Sequence, residues 1–274
     1  MIEFLKVLLL GIVEGITEWL PISSTGHMLL VDEFLRLDAT DSFKEMFFVV
    51  IQLGAILAVV ALFWKKMWPI TRGEDGKKVL RKRTVSTWCK VVVACIPGAI
   101  VALFFDDFIE THLTTPVVIS IALIFYGAAF LAIETWNKSR RPKVRKVEDI
   151  SYLTAFEIGV FQVLSIIPGT SRSGSTIIGA LLLGVSRVAA AEFTFFLAVP
   201  VMFGLSFVKL IKFGFHFYGT ELWILLFGMI VAFAVSLAVI RFLMSYIRKH
   251  DFKLFGVYRI ILGGLILFYF LVIK

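Results

Sequence analysis

The sequence predicts an all-α integral membrane protein with six transmembrane helices and two re-entrant helix hairpins, arranged as an inverted-topology repeat. Three observations predict it. Of the 274 residues, 59% are hydrophobic and 28 are phenylalanine; the mean hydropathy of +0.92 lies far above that of a soluble domain. Six stretches of about 20 residues carry almost no charge, the length needed to cross a hydrocarbon core of about 30 Å. Two further apolar regions are each broken by a proline and crowded with polar side chains.

The uncharged stretches fall at roughly 45–68, 88–105, 115–136, 189–212, 221–244 and 254–273, which gives one polytopic domain over 1–274. The loop after the first holds Lys65, Lys66, Arg72, Lys77, Lys78, Arg81, Lys82 and Arg83. The loop after the third holds Lys138, Arg140, Arg141, Lys143, Arg145 and Lys146, and a shorter one holds Arg248, Lys249 and Lys253. Alternating spans put all three on one side, and the positive-inside rule makes that side cytoplasmic. The loop with Asp106, Asp107 and Glu110 lacks Lys and Arg and suits the outer face. The net charge of +8 thus serves topology, and no nucleic-acid partner is expected. Cys89 and Cys95 have neither disulfide nor metal-site spacing and read as small apolar fillers. A cleaved leader is not expected, because Glu14 and Glu18 fall where its small-residue cleavage region would be.

Residues 1–44 break at Pro21, and residues 151–186 hold two short apolar runs separated by "PGTSRSGST", Pro168 to Thr176. Half-helices of about 10–16 residues reach roughly 15–24 Å at 1.5 Å per residue, enough for the midplane but not for crossing. Such backbone is tolerated at depth only where protein or a wet cavity surrounds it. Pro21 and Pro168 are separated by the same interval as Glu45 and Glu192, each glutamate opening a Phe-rich span. Each half, roughly 1–136 and 148–274, then contributes one hairpin and three spans. An odd number of spans forces opposite orientations, and such repeats place their site where the broken helices meet.

The chemistry in the hairpins is concentrated. Glu14 and Glu18, four apart, share a helix face; together they suit a divalent cation or a shared proton. Arg172 opens a half-helix among Ser171, Ser173, Ser175 and Thr176, and its guanidinium matches phosphate oxygens as a planar fork. A helix N-terminus there adds N–H donors and a positive dipole end. Ser24 and His27 come from the facing turn as candidate nucleophile and acid/base. This set suits attack on a phosphoryl group. Blander readings stand beside it. A glutamate could simply pair with Arg172, His27 could be a cap or an interfacial residue, and Ser23, Thr25 and Ser175 could satisfy broken backbone. Gln52 and Gln162 read as packing hydrogen bonds.

"EGITEWLPISSTGH" (Glu14–His27) together with "PGTSRSGST" resembles the undecaprenyl-diphosphate phosphatase family of bacteria, also called the bacitracin-resistance protein family. The resemblance runs end to end and includes "IQLGAILAV" at Ile51–Val59. It implies removal of the terminal phosphate of undecaprenyl diphosphate, a polyprenyl lipid substrate, by a divalent-cation-dependent enzyme (Mg²⁺ or Ca²⁺) of the bacterial plasma membrane. The site would open towards the outer face. Carried onto this chain, Glu14 and Glu18 would hold the cation and Arg172 the diphosphate. Ser24 and His27 would be nucleophile and acid/base in either order. Ser23, Thr25, Ser171, Ser173 and Thr176 are the hydroxyls expected around phosphate. Surrounding membrane lipid is the other expected partner, and a homodimer stays open. The repeat itself also suits a carrier of lipid phosphate or a small anion; Ser24 and His27, which a carrier does not need, favour the enzyme.

Overall fold

Helices begin in this chain where a hydroxyl can cap them. Thr40, Thr115, Ser151 and Ser186 each accept from the backbone N–H three residues on, which satisfies one of the free donors of a first turn. The structure is a computed structural model that describes residues 2–72 and 77–273, with backbone alone for residues 103 and 105–112. Its helices are α1 (Ile2–Thr17), α2 (Ser24–Phe34), α3 (Asp41–Val50), α4 (Gln52–Met67), α5 (Lys82–Leu113), α6 (Pro116–Asn137), α7 (Tyr152–Val163), α8 (Arg172–Leu182), α9 (Arg187–Phe213), α10 (Glu221–Tyr246) and α11 (Lys253–Phe268). Among the described residues six helical stretches are long and apolar enough to cross a membrane: Asp41–Met67, Lys82–Ala102, Pro116–Asn137, Arg187–Phe213, Glu221–Tyr246 and Lys253–Ile273. The chain is a multi-pass membrane protein, as its hydropathy predicts.

Two local departures stand out. The first basic loop is not purely irregular: β1 (Ile70–Arg72) and β2 (Lys78–Leu80) pair as a short antiparallel ribbon, Thr71 opposite Val79. The acidic stretch expected as a loop continues as helix to Leu113. Aspartate and glutamate do not stop a helix, and Pro116 follows as the first residue of α6. The side chains of Asp106, Asp107 and Glu110 lie outside the described residues.

The four helices outside these stretches, α1, α2, α7 and α8, have 16, 11, 12 and 11 residues, so the longest extends roughly 24 Å. They lie among the long ones: α1 packs on α10, α2 on α6, α7 on α5, and α8 on α9 and α6. Trp19, fully buried between the two sets, meets Phe195 edge-on at 5.3 Å. Lipid tails are as apolar as leucine, so helices associate through close approach of small residues. At Gly54 a Cβ would collide with the Met229 carbonyl oxygen, so α4 and α10 touch backbone to backbone there. Gly54→Ala is expected to destabilise the protein by about 1–3 kcal/mol. Thermal unfolding in detergent checks this, and an unchanged midpoint would mean that the α4–α10 contact is loose.

Candidate active site

Two tight turns build the site, and both carry the same backbone device. Ser23 (φ 73°) and Ser171 (φ 71°) occupy a region that L-residues rarely adopt. Each is the N-cap of the short helix that follows: Ser23 Oγ accepts from Gly26 N at 3.3 Å, and Ser171 Oγ accepts from Gly174 N at 3.2 Å. A cap hydrogen bond holds each serine in a conformation that costs about 1–3 kcal/mol. The result is that α2 and α8 both start with their first residues, Ser24 and Arg172, turned into the same polar cluster.

Glu18 is the centre of that cluster. It sits just beyond α1, its N–H still bonded to the Glu14 carbonyl at 3.1 Å, so Glu14 and Glu18 share a face as their spacing predicts. Glu18 Oε1 accepts from Arg172 Nη2 at 3.0 Å, and Glu18 Oε2 accepts from Ser24 Oγ at 2.7 Å. Arg172 also donates through Nη1 to the Thr194 carbonyl at 3.0 Å and meets Met202 Sδ at 3.4 Å. Ser173 Oγ donates to the Glu18 carbonyl at 3.3 Å and lies 3.1 Å from Ser171 Oγ. Thr176 Oγ1 donates to the Arg172 carbonyl at 2.8 Å and lies 2.9 Å from Thr194 Oγ1. Glu18, Ser24, Arg172, Ser171, Ser173 and Thr176 are thus one connected network across the two turns.

The other expected residues stand apart from it. Glu14 is 1% exposed, and its Oε1 has no hydrogen-bond partner among the described residues. His27 has Nδ1 at 2.7 Å from the Ser23 carbonyl and Nε2 at 2.7 Å from the Tyr258 hydroxyl, on whose ring it stacks. A carbonyl only accepts, so the neutral ring carries its proton on Nδ1 and receives the Tyr258 hydroxyl on Nε2. Thr25 is exposed on α2. Ser175 is buried and donates to the Arg172 carbonyl at 3.1 Å, a backbone role. Gln162 is buried with its Oε1 unpartnered among the described residues.

Arg259 was not singled out by the sequence reasoning. It is 0% exposed in α11 and has no carboxylate partner among the described residues; its Nη1 donates to the Pro21 carbonyl at 3.1 Å, and its Nη2 to the Gly169 and Thr170 carbonyls, both at 2.8 Å. One guanidinium therefore ties the two polar turns together. The signal was available: an ionisable residue in mid-span is expected to have a task. Tyr258, Thr194 and Met202 gave no comparable signal, since each looks like ordinary span composition.

A cation has a fitting place here. Glu14 offers a buried carboxylate oxygen without a partner, and such a group calls for a cation or a proton. Among the described residues no three His, Cys, Asp or Glu side chains gather as a closed metal cage, so a cation held by Glu14 and Glu18 would keep positions for phosphate oxygens and water, as hard divalent cations do.

A carboxylate, a hydroxyl and an arginine fork in mutual contact inside a bundle of membrane-length helices define an integral membrane protein with a polar cluster among its helices. Comparison with known proteins makes the class specific. The bacitracin resistance protein BacA family matches residues 7–265, and the chain belongs to that family. It is 66% identical over 266 residues to an undecaprenyl-diphosphatase of Enterococcus faecalis, covering 97% of this chain and 96% of the relative. It is 58% identical over 271 residues to the undecaprenyl-diphosphatase of Desulfitobacterium hafniense (98% and 97%), and 54% identical over 274 residues to that of Acetivibrio thermocellus (100% of both).

Proposed function

We propose that the protein hydrolyses undecaprenyl diphosphate to undecaprenyl phosphate and inorganic phosphate, with Ser24 as nucleophile and Glu18 as its base. Full-length similarity to undecaprenyl-diphosphatases supports the substrate. One contact carries the assignment of roles: Ser24 Oγ donates 2.7 Å to Glu18 Oε2, while the other Glu18 oxygen is held by Arg172. Nucleophile, base and an orienting third group are the parts that activate a serine. Ser24 Oγ attacks the terminal phosphorus and its proton passes to Glu18; the P–O bond to the lipid monophosphate breaks, and water then releases phosphate from the serine. Arg172, with Ser171 and Ser173 beside it, holds the phosphoryl oxygens. A bound Mg²⁺ or Ca²⁺ on Glu14 and Glu18 would neutralise developing charge on those oxygens. His27 is the weaker nucleophile because its free nitrogen is taken by Tyr258; it remains placed for proton transfer.

The inverted repeat belongs to the same reading. Ser23 and Ser171, Gly26 and Gly174, and Glu14 and Gln162 share one sequence interval. The contacts repeat as well: α1 on α10 corresponds to α7 on α5, and the Glu192–Lys66 pair at 2.6 Å corresponds to Glu45–Lys209 at 4.0 Å. On this reading α1–α2 and α7–α8 are opposed re-entrant hairpins, the basic loops face the cytoplasm and the site opens outward. An apolar groove of about 410 Å³ between α5 and α7, lined by Ile96, Pro97, Ile100, Phe156 and Val160, suits a prenyl chain.

The test is phosphate release from undecaprenyl diphosphate by the purified protein in detergent. Wild type is expected to release phosphate with added divalent cation and to stop with EDTA. Arg172→Lys keeps the charge but not the planar fork and is expected to lower kcat/KM by about 10²-fold. Cation-independent release would remove the metal from Glu14 and Glu18, and near-normal Arg172→Lys would remove the bidentate phosphate contact.

A further inference from the structure

A cavity lined by charged groups lies away from the Glu18–Arg172 cluster and shares no residue with it. It lies at the opposite end of α8, roughly 16 Å along that helix from Arg172, where α6, α8 and α10 end and α9 begins. A half-open cleft of about 380 Å³ lies between the 138–146 loop, the end of α8 and the 247–252 loop.

Its walls are of two kinds. Arg140, Arg141, Lys143 and Arg248 are among its lining residues, and none of them makes an ion pair among the described residues. Leu182, Leu183, Val188 and Ile247 supply apolar lining. Glu134 is the sole acid in the lining, and it is fully engaged: it pairs with Arg187 and accepts from Phe252 N at 3.0 Å. The cavity therefore keeps an uncompensated positive charge beside apolar lining.

It is also held open by the backbone. The Gly184 carbonyl accepts from Lys143 N at 2.8 Å and Val144 N at 3.2 Å, and Ser186 N donates to the Val144 carbonyl at 2.8 Å. Gly184 turns the chain at φ 81°. Arg140 is laid flat on Trp136, its guanidinium carbon 3.5 Å from the ring centroid, a pairing suited to the membrane–water interface. Topology alone requires basic residues in these loops. It does not require four of them to converge on one preformed, half-apolar cavity.

We propose that this cavity binds the phosphate headgroup of an anionic membrane lipid from the leaflet on the basic-loop side. Free arginines and lysine meet the phosphate, the leucine and valine side chains meet the start of the acyl chains, and the stacked Arg140–Trp136 pair marks the headgroup level. Binding here is separate from catalysis at Glu18.

Native mass spectrometry of the detergent-purified chain, titrated with phosphatidylglycerol or phosphatidylcholine, tests the site. Two variants of equal charge are compared: Arg141→Gln/Arg248→Gln inside the cavity, and Lys138→Gln/Lys249→Gln, exposed on the same two loops but outside it. At about 1 kcal/mol per basic residue near an anionic headgroup, the cavity variant should bind phosphatidylglycerol about thirtyfold more weakly. The outside variant should stay within about threefold of wild type. Both should keep the wild-type unfolding midpoint and phosphatase activity, so that a loss of lipid is not a loss of fold. Equal retention of the two lipids, or equal loss in the two variants, would overturn the site in favour of diffuse surface charge. Saturable binding of inorganic phosphate to lipid-free wild type, lost in the cavity variant, would overturn the lipid as occupant and assign a soluble phosphate.

Discussion

Ser24→Ala lowers kcat on undecaprenyl diphosphate by about 10³-fold or more and leaves KM within a few-fold of wild type, the expected pattern when an attacking group is removed and binding is not. The expectation follows from where Ser24 sits. It is the first residue of α2, placed there by the strained Ser23 cap, and its hydroxyl is the one in the network that touches the Glu18 carboxylate. Ser173, by contrast, reaches Glu18 at its backbone carbonyl and not its carboxylate, and Thr176 is spent on Arg172 and Thr194. His27→Ala is expected to cost less, about 10–10²-fold, the lower range for a proton-transfer group. Steady-state phosphate release on folded protein separates the two. If Ser24→Ala kept a tenth of the activity while His27→Ala lost it, the imidazole would be the nucleophile and the Ser24–Glu18 contact an orienting one.

The extent to which this site could be read beforehand depends on what each residue's role rests on. Glu14, Glu18 and Arg172 were legible because a charge in an apolar segment needs a reason, and the proline breaks said where the helices stop. Their partners were harder to foresee. That Glu18 meets Ser24, six residues away, depends on the unusual φ at Ser23, which no serine announces. That Glu18 also meets Arg172 bears out part of the structural alternative weighed for it: this glutamate is a partner of the arginine as well as a candidate base. Ser23 and Ser171 turned out to be caps, so their hydroxyls accept from backbone before any phosphate arrives. The acidic stretch reads as a loop between two spans, but helices tolerate acids readily and α5 continues through it to Leu113. In the basic loops, counting charges fits the expected topology and gives no hint that four converge on one cavity. Convergence is a tertiary property: it comes from Gly184 and the loop it holds.

Arg259→Leu is expected to cost about 3–5 kcal/mol of stability and to abolish turnover even at temperatures where the variant is folded. Three carbonyls, those of Pro21, Gly169 and Thr170, take their hydrogen bonds from this one side chain. No water replaces it cheaply in a fully buried position, and each abandoned carbonyl costs about 1–3 kcal/mol. The charge itself is tolerated without a carboxylate because three carbonyl dipoles face it and the Tyr126 ring lies 5.7 Å away. Activity should fall further than stability, because Pro21 belongs to the turn that presents Ser24 and Gly169 to the turn that presents Arg172. Releasing the clamp lets nucleophile and phosphate anchor drift apart, and displacements of about 1 Å are enough to cost 10²-fold. Arg259→Lys, with one ammonium for three acceptors at two sites, should fall between: folded, with an unfolding midpoint near wild type, but with kcat reduced and KM little changed. Unfolding midpoints and steady-state kinetics on both variants decide it. A lysine variant that turned over normally would show that the turns hold their spacing unaided. A leucine variant that was stable but inactive would instead move Arg259 from a structural clamp to a direct role at the substrate.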